Sequence, residues 1–243
     1  MAAREAASAS ASGPTPASAS TPADEPGARA PGPRQPGLRE RKKRQTAARI
    51  WQAAVELFVE RGFDKVSVAE IAAAADVSKM TVFNYFGTKE DLLLSPMEEH
   101  VADAAEAVRA RAPGESAAEA LRRQLLDLIE ARDPSVGLGD SARTLQVLRL
   151  ITETPVLLHR AHSFHLRRQD LLADVLAAET GDAVLAEVAA AQLIGVRNAV
   201  FAEVHRRRVA DVPLDQVAAD AARLARDAFA LVEKGLSGYA VKA

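Results

Sequence analysis

From Arg41 to near its end the chain places apolar side chains at three- and four-residue intervals, and nowhere in the two-residue alternation of a half-buried strand. Ile50, Ala54, Leu57 and Phe58 share one face of a first helix, which Gly62 stops. Ser67 and Glu70 form an S-x-x-E box that opens a second helix, running through Ile71 to about Ala75. Asp76 then occupies a turn expected to need a left-handed backbone, which Asp tolerates better than most residues with a β-carbon. Ser78 caps a third short helix that reaches Tyr85 or Phe86 and ends at Gly87, and Thr88 with Asp91 opens a fourth. Three capped helices joined by such short turns predict a helix-turn-helix unit. Further helices are expected over 88–111, 116–132 (again S-x-x-E, at Ser116 and Glu119), 140–152, 155–178, 182–208 and 213–235, with Pro96 near the start of the first. The expected fold is all-α: a small N-terminal helix-turn-helix domain followed by a larger helical domain.

Composition adds a boundary at each end of that reading. Residues 1–38 are built from Ala, Ser, Pro and Gly and offer too little apolar surface to offset the entropy of ordering, so they are expected to be a disordered tail. Residues 39–92 form the small domain and 93–243 the large one. With no cysteine, disulfides, thiol nucleophiles and cysteine-bound metal sites are excluded, and no cofactor motif is present. No nucleophile elbow, phosphate loop or H-E-x-x-H occurs, so an enzyme is not expected. No apolar window of spanning length and no secretory core stand out, which points to a cytoplasmic protein without a membrane partner. The net charge of −2 conceals a basic run, Arg39 to Arg44, read either as non-specific attraction to phosphates or as a solvated helix start.

The third helix holds three of the ten aromatic residues within four positions. At 100° per residue, Val82 and Phe86 turn inward toward Val68, Ile71 and Val77, while Lys79, Met80, Phe83 and Asn84 occupy the opposite arc. A cation, a flexible apolar chain, an aromatic ring and an amide suit the donors, acceptors and thymine methyls of base edges. Thr81, Tyr85 and Lys89 sit at the margins, where hydroxyls and an ammonium suit phosphates. By spacing alone a short amphipathic helix in a bundle reads the same way.

The stretch resembles the DNA-binding signature of the TetR family of transcriptional regulators. The Ser67 opening, Ile71-Ala72, Ala75-Asp76-Val77-Ser78, the aromatic Phe83-Asn84-Tyr85-Phe86 and Lys89-Glu90-Asp91-Leu92 match at the family's spacing, and the likeness covers about residues 44–104. Asp76 replaces the usual turn glycine, and Phe83 the commoner tyrosine. The resemblance implies a third helix in the major groove, with Lys79, Met80, Phe83 and Asn84 at the bases. Thr81, Tyr85 and Lys89 would hold phosphates, with help from Thr46 and Ser67 at helix N-termini; Ser78, the cap of the reading helix, belongs to the same site.

It also implies a homodimer on a palindromic double-stranded DNA operator, and a small-molecule effector that alters binding, most commonly in a repressor. Small residues around Gly195 in the last two helices suit a four-helix interface across a two-fold axis; packing within one subunit is the other reading. The effector pocket is expected among the middle helices, with His159, His162, His165 and Arg167 at its rim. A weaker likeness of that region to ligand domains for acyl-CoA-like or other apolar effectors sets the expected ligand class. The i, i+3 spacing of the histidines does not suit a metal pair. A helical adaptor or sensor that binds no DNA is the alternative function.

Overall fold

The computed structural model describes residues 37–235, so the tail expected over residues 1–38 lies almost entirely outside the described residues. Within them the chain forms ten α-helices and one short 3-10 turn, and no strand. The first four are α1 (Leu38–Arg61), α2 (Val68–Ala74), α3 (Lys79–Phe86) and α4 (Lys89–Glu99). The caps are those expected. Ser67 accepts from the Glu70 amide while the Glu70 carboxylate accepts from the Ser67 amide, Ser78 accepts from the Thr81 amide, and Thr88 accepts from that of Asp91. Asp76 has φ 51°, the left-handed turn conformation.

The helix expected over 88–111 is two helices. After α4 the chain turns at His100–Ala102 and resumes as α5 (Asp103–Arg109). Two i→i−3 bonds, His100 N to Met97 O and Val101 N to Glu98 O, tighten the end of α4. Val101, 3% exposed, is drawn into the core at the corner. Pro96 lies inside α4 and cannot donate to Leu92 O; the Ser95 hydroxyl donates to that carbonyl instead, at 3.1 Å. The helix therefore survives its proline.

The larger part comprises α6 (Ala117–Glu130), a 3-10 turn (Pro134–Val136), α7 (Ala142–Glu153), α8 (Pro155–Thr180), α9 (Ala183–Val209) and α10 (Leu214–Glu233). Helices α8 and α9 pack along each other more extensively than any other pair. Two apolar cores result. One holds Ile50, Phe58, Ile71, Val82 and Leu92–Leu94 together with Ile151, Leu157 and Phe164, so α1–α4 are packed directly onto α7 and the first half of α8. The other gathers Leu125, Ile129, Leu172, Ile194, Val200 and Phe229.

Helix α9 departs from one expectation, because by length and composition it is apolar enough to cross a membrane. It carries the buried Arg197, and only 39% of its most apolar window is buried within the subunit. One face meets the core through Ala186, Ala190, Ile194 and Val204. The other presents Val184, Val188, Ala191, Gly195, Ala199 and Ala202, all exposed and at helical spacing. An apolar helix with two apolar faces, one of them unpartnered, is what a subunit interface requires.

Candidate nucleic-acid interface and effector cavity

The α2–turn–α3 unit packs by one face on α1 and α4 and leaves the outer face of α3 open. Val82 is buried against Ile71, with Val68, Val77, Tyr85 and Phe86 packed around them. Lys79, Met80, Phe83 and Asn84 are all exposed on the opposite face, Met80 at 66% and Phe83 at 40%. That much apolar surface is left to solvent only at the cost of hydration, and its covering partner must also suit an ammonium and an amide. Lys79 Nζ lies 5.8 Å from the Phe83 ring centroid, which steadies both side chains on that face. Thr81 is half-buried, and its hydroxyl lies 2.8 Å from that of Ser78.

Three of the expected phosphate contacts look different in three dimensions. Lys89 Nζ donates to Phe63 O at 3.0 Å and Val66 O at 3.2 Å, and sits 4.1 Å from the Phe63 ring centroid. The half-buried ammonium thus closes the loop between α1 and α2. Thr46 is not at a helix N-terminus: α1 begins at Leu38, so its backbone amide lies well inside the helix and only its hydroxyl is left to contact DNA. The basic run itself is helical, with Glu40 and Arg44 paired at 3.5 Å. Ser67 donates its hydroxyl proton to Glu70 Oε2 at 2.7 Å, and Arg61 holds the same carboxylate group. Bonds from Ser67 lower the Glu70 pKa, so a negative charge already occupies the start of α2.

A cavity of about 480 Å³ lies at the seam between the two cores. Its walls are mainly apolar: Leu125 and Ile129 of α6, Val147, Leu148 and Ile151 of α7, Phe201 and Val204 of α9. Trp51 of α1, Leu93, Pro96 and Met97 of α4, and His100 just after it close the side formed by the N-terminal helices. Trp51 Nε1 donates to Leu93 O at 3.3 Å, so the two elements are tied at the cavity wall. Of the expected pocket residues, His165 lines this cavity. His159 and His162 are exposed on the outside of α8, and Arg167 pairs with Glu98 at 3.1 Å; the cavity does not include them.

The register of α8 explains the difference. Positions 161, 164, 168, 172 and 175 face inward, so Arg168 rather than Arg167 is buried. Arg197 enters the same cavity from α9, and nothing in its apolar sequence neighbourhood singles it out as a site residue. Arg168 and Arg197 are 6% and 9% exposed. Burial lowers the pKa of each, that of Arg168 to about 10 with Arg197 adding to the effect. Arg168 Nη1 lies 3.3 Å from His165 Nδ1. A guanidinium only donates, so Nδ1 accepts and the imidazole is neutral. Burial and the neighbouring Arg168 push the His165 pKa down to about 4.

A helix-turn-helix with an exposed outer face, joined to a helical body that holds a largely apolar cavity, is the architecture of a DNA-binding regulator. Residues 50–95 match the profile of the bacterial regulatory proteins of the tetR family. The chain is 30% identical over 172 residues to the HTH-type transcriptional regulator TcmR of Streptomyces glaucescens, covering 69% of this chain and 70% of that protein. It is 26% identical over 144 residues to the putative mycofactocin biosynthesis transcriptional regulator MftR of Mycobacterium tuberculosis, covering 58% of this chain and 69% of that one. The fold resembles that of NalD, the secondary repressor of the MexAB-OprM efflux pump in Pseudomonas aeruginosa, with TM-score 0.51 and 19% identity over 77% of this chain and 96% of that one. It also resembles SmeT in its triclosan complex, with TM-score 0.50 and 17% identity over 76% of this chain and 91% of that one. The chain belongs to the TetR family and is a DNA-binding transcriptional regulator. The adaptor reading is set aside. Regulators of this family bind DNA operators, dimerise and respond to small molecules.

Proposed function

We propose that this chain is a homodimeric repressor whose α3 helices read a palindromic operator and whose seam cavity receives the effector that releases it. The observation that carries the reading is the exposed set Lys79, Met80, Phe83 and Asn84 on a rigid, capped helix with Val82 anchored beneath it. Lys79 supplies a donor for guanine and Asn84 a bidentate partner for adenine, while Met80 and Phe83 meet thymine methyls. Thr81, Ser78 and Tyr85 flank these and hold the backbone. The unpartnered stripe of α9, with α10 beside it, supports a two-fold interface, which would set the two reading helices about one DNA turn, or 34–36 Å, apart.

Release follows from where the cavity lies. Its walls include α1 and α4, and α1–α4 are tethered to the sensing body by Glu56–Arg143 at 3.0 Å, Asp91–Arg160 at 2.9 Å and Glu98–Arg167 at 3.1 Å. A ligand that fills the space between α7, α8 and α4 favours the arrangement that fits it best. If that arrangement has the wrong spacing of reading helices, operator affinity falls by linkage.

Selection of bound fragments from a random DNA pool by the purified chain tests this reading. A palindrome with half-sites one turn apart is expected. Lys79→Ala with Asn84→Ala should weaken binding to that site by roughly 100-fold or more, each contact contributing about 1–3 kcal/mol, with the fold unchanged. Undiminished protection of the selected site by the double variant would remove α3 as the reader.

A further inference from the structure

Most ionisable groups on the cavity wall have a close partner. Arg143 holds Glu56, His100 lies 2.8 Å from Asp103, and Asp133 accepts from the Ser135 amide at 2.7 Å. Arg168 and Arg197, both more than nine-tenths buried, form no ion pair with a carboxylate among the described residues. Arg168 Nε is buried with no hydrogen-bond partner in the protein, as is the Ser135 hydroxyl on the same wall. The two like charges repel each other and have lost their hydration, and only the carboxylates of Asp103 and Asp133, beyond ion-pair distance, offset them. A pair retained only to join α8 to α9 would be expected to carry an acceptor between them, and the one group that accepts from Arg168 is the neutral His165 ring. Most of the remaining wall is apolar, and at about 480 Å³ the volume is that of a small-molecule site.

We propose that the cavity selects an anion-headed apolar ligand, a singly charged oxygen acid on an apolar body, with its acid group held by Arg168 and Arg197. The guanidinium groups of Arg168 and Arg197 supply the charged donors, and Ser135, Ser141, Thr144 and Asn198 are the neutral polar residues on the wall. The apolar body lies along Leu125, Ile129, Leu148, Phe201 and Val204. The inference rests on the seam cavity being the effector site, and it adds the charge and chemical class of the effector. The acid group also bears on the α8–α9 contact, so binding would tighten the sensing body at the junction that α4 leans on.

The test uses the full chain and two matched pairs of probes: laurate with dodecan-1-ol, and 9-anthracenecarboxylate with 9-anthracenemethanol. Calorimetry and thermal shift should show, in at least one pair, the acid bound about tenfold or more tightly than its alcohol. The two pairs separate a flexible chain from a fused-ring body. Arg168→Met and Arg197→Met should each erase that preference while the unliganded Tm holds or rises, because a buried unpaired charge has been removed. Equal or tighter binding of the alcohol in both pairs overturns the proposal, as does binding of no probe, or a Met variant that keeps the acid preference. If a Met variant fails to fold, the wild-type comparison still decides. Operator binding is followed in the same samples. An acid that binds without releasing DNA refutes the release mechanism but not the ligand class; release by the alcohols alone refutes the ligand class but not the mechanism.

Discussion

At the residue scale the most instructive side chain is Lys89. Its sequence position, just past the aromatic cluster, suits a phosphate contact, and only the folded chain shows its ammonium committed to Phe63 O and Val66 O and lying over the Phe63 ring. Lys89→Ala should therefore lower unfolding stability by about 1–3 kcal/mol, since two carbonyls lose a charged donor. The slope of log K against log salt for DNA binding should scarcely change; a loss of about one unit of slope with unaltered Tm would return Lys89 to the phosphates. His165 gives a second prediction. In the unfolded chain it takes up a proton near pH 6.5, whereas in the folded one it does so only near pH 4, so protonation favours unfolding as the pH falls between those values. Its imidazole resonance should titrate near 4 in the free protein and move upward when an anion occupies the cavity, because the positive charge around it is then offset.

At the scale of the element, much of the architecture was legible in short-range signals. S-x-x-E boxes, Ser and Thr caps and the left-handed Asp76 are local chemistry, and helices α2, α3 and α6 start where those signals stand. The split between α4 and α5 was not legible, because it depends on Val101 being pulled into a core assembled from distant helices. The same holds for the pocket. Arg167 and Arg168 are neighbours in sequence, and the register of α8 against α9 decides which of them is enclosed. The exposed stripe of α9 carries its own prediction. Val188 is 49% exposed, so Val188→Arg should leave the Tm of the subunit within about 0.5 kcal/mol of stability while converting the dimer to monomer by light scattering. Persistence of the dimer at unchanged affinity would place the interface elsewhere.

At the scale of the molecule, the two apolar cores do not coincide with the division at residue 92 suggested by the chain. Leu92, Leu93 and Leu94 are all buried in the core that also holds Ile151, Leu157 and Phe164. The reading unit is thus clamped to α7 and α8, and the cavity sits beside that clamp rather than deep in the sensing body. Trp51, the sole tryptophan of the chain, stands on the wall between the two parts with its indole N–H bonded to Leu93 O. The molecule therefore carries a built-in optical gauge. Its emission arises from one place only, where the proposed occupancy of the chamber and movement of the reading helices would both be felt. A titration in plain buffer, without dye or label, would report the two events together, and in stopped flow would say which comes first.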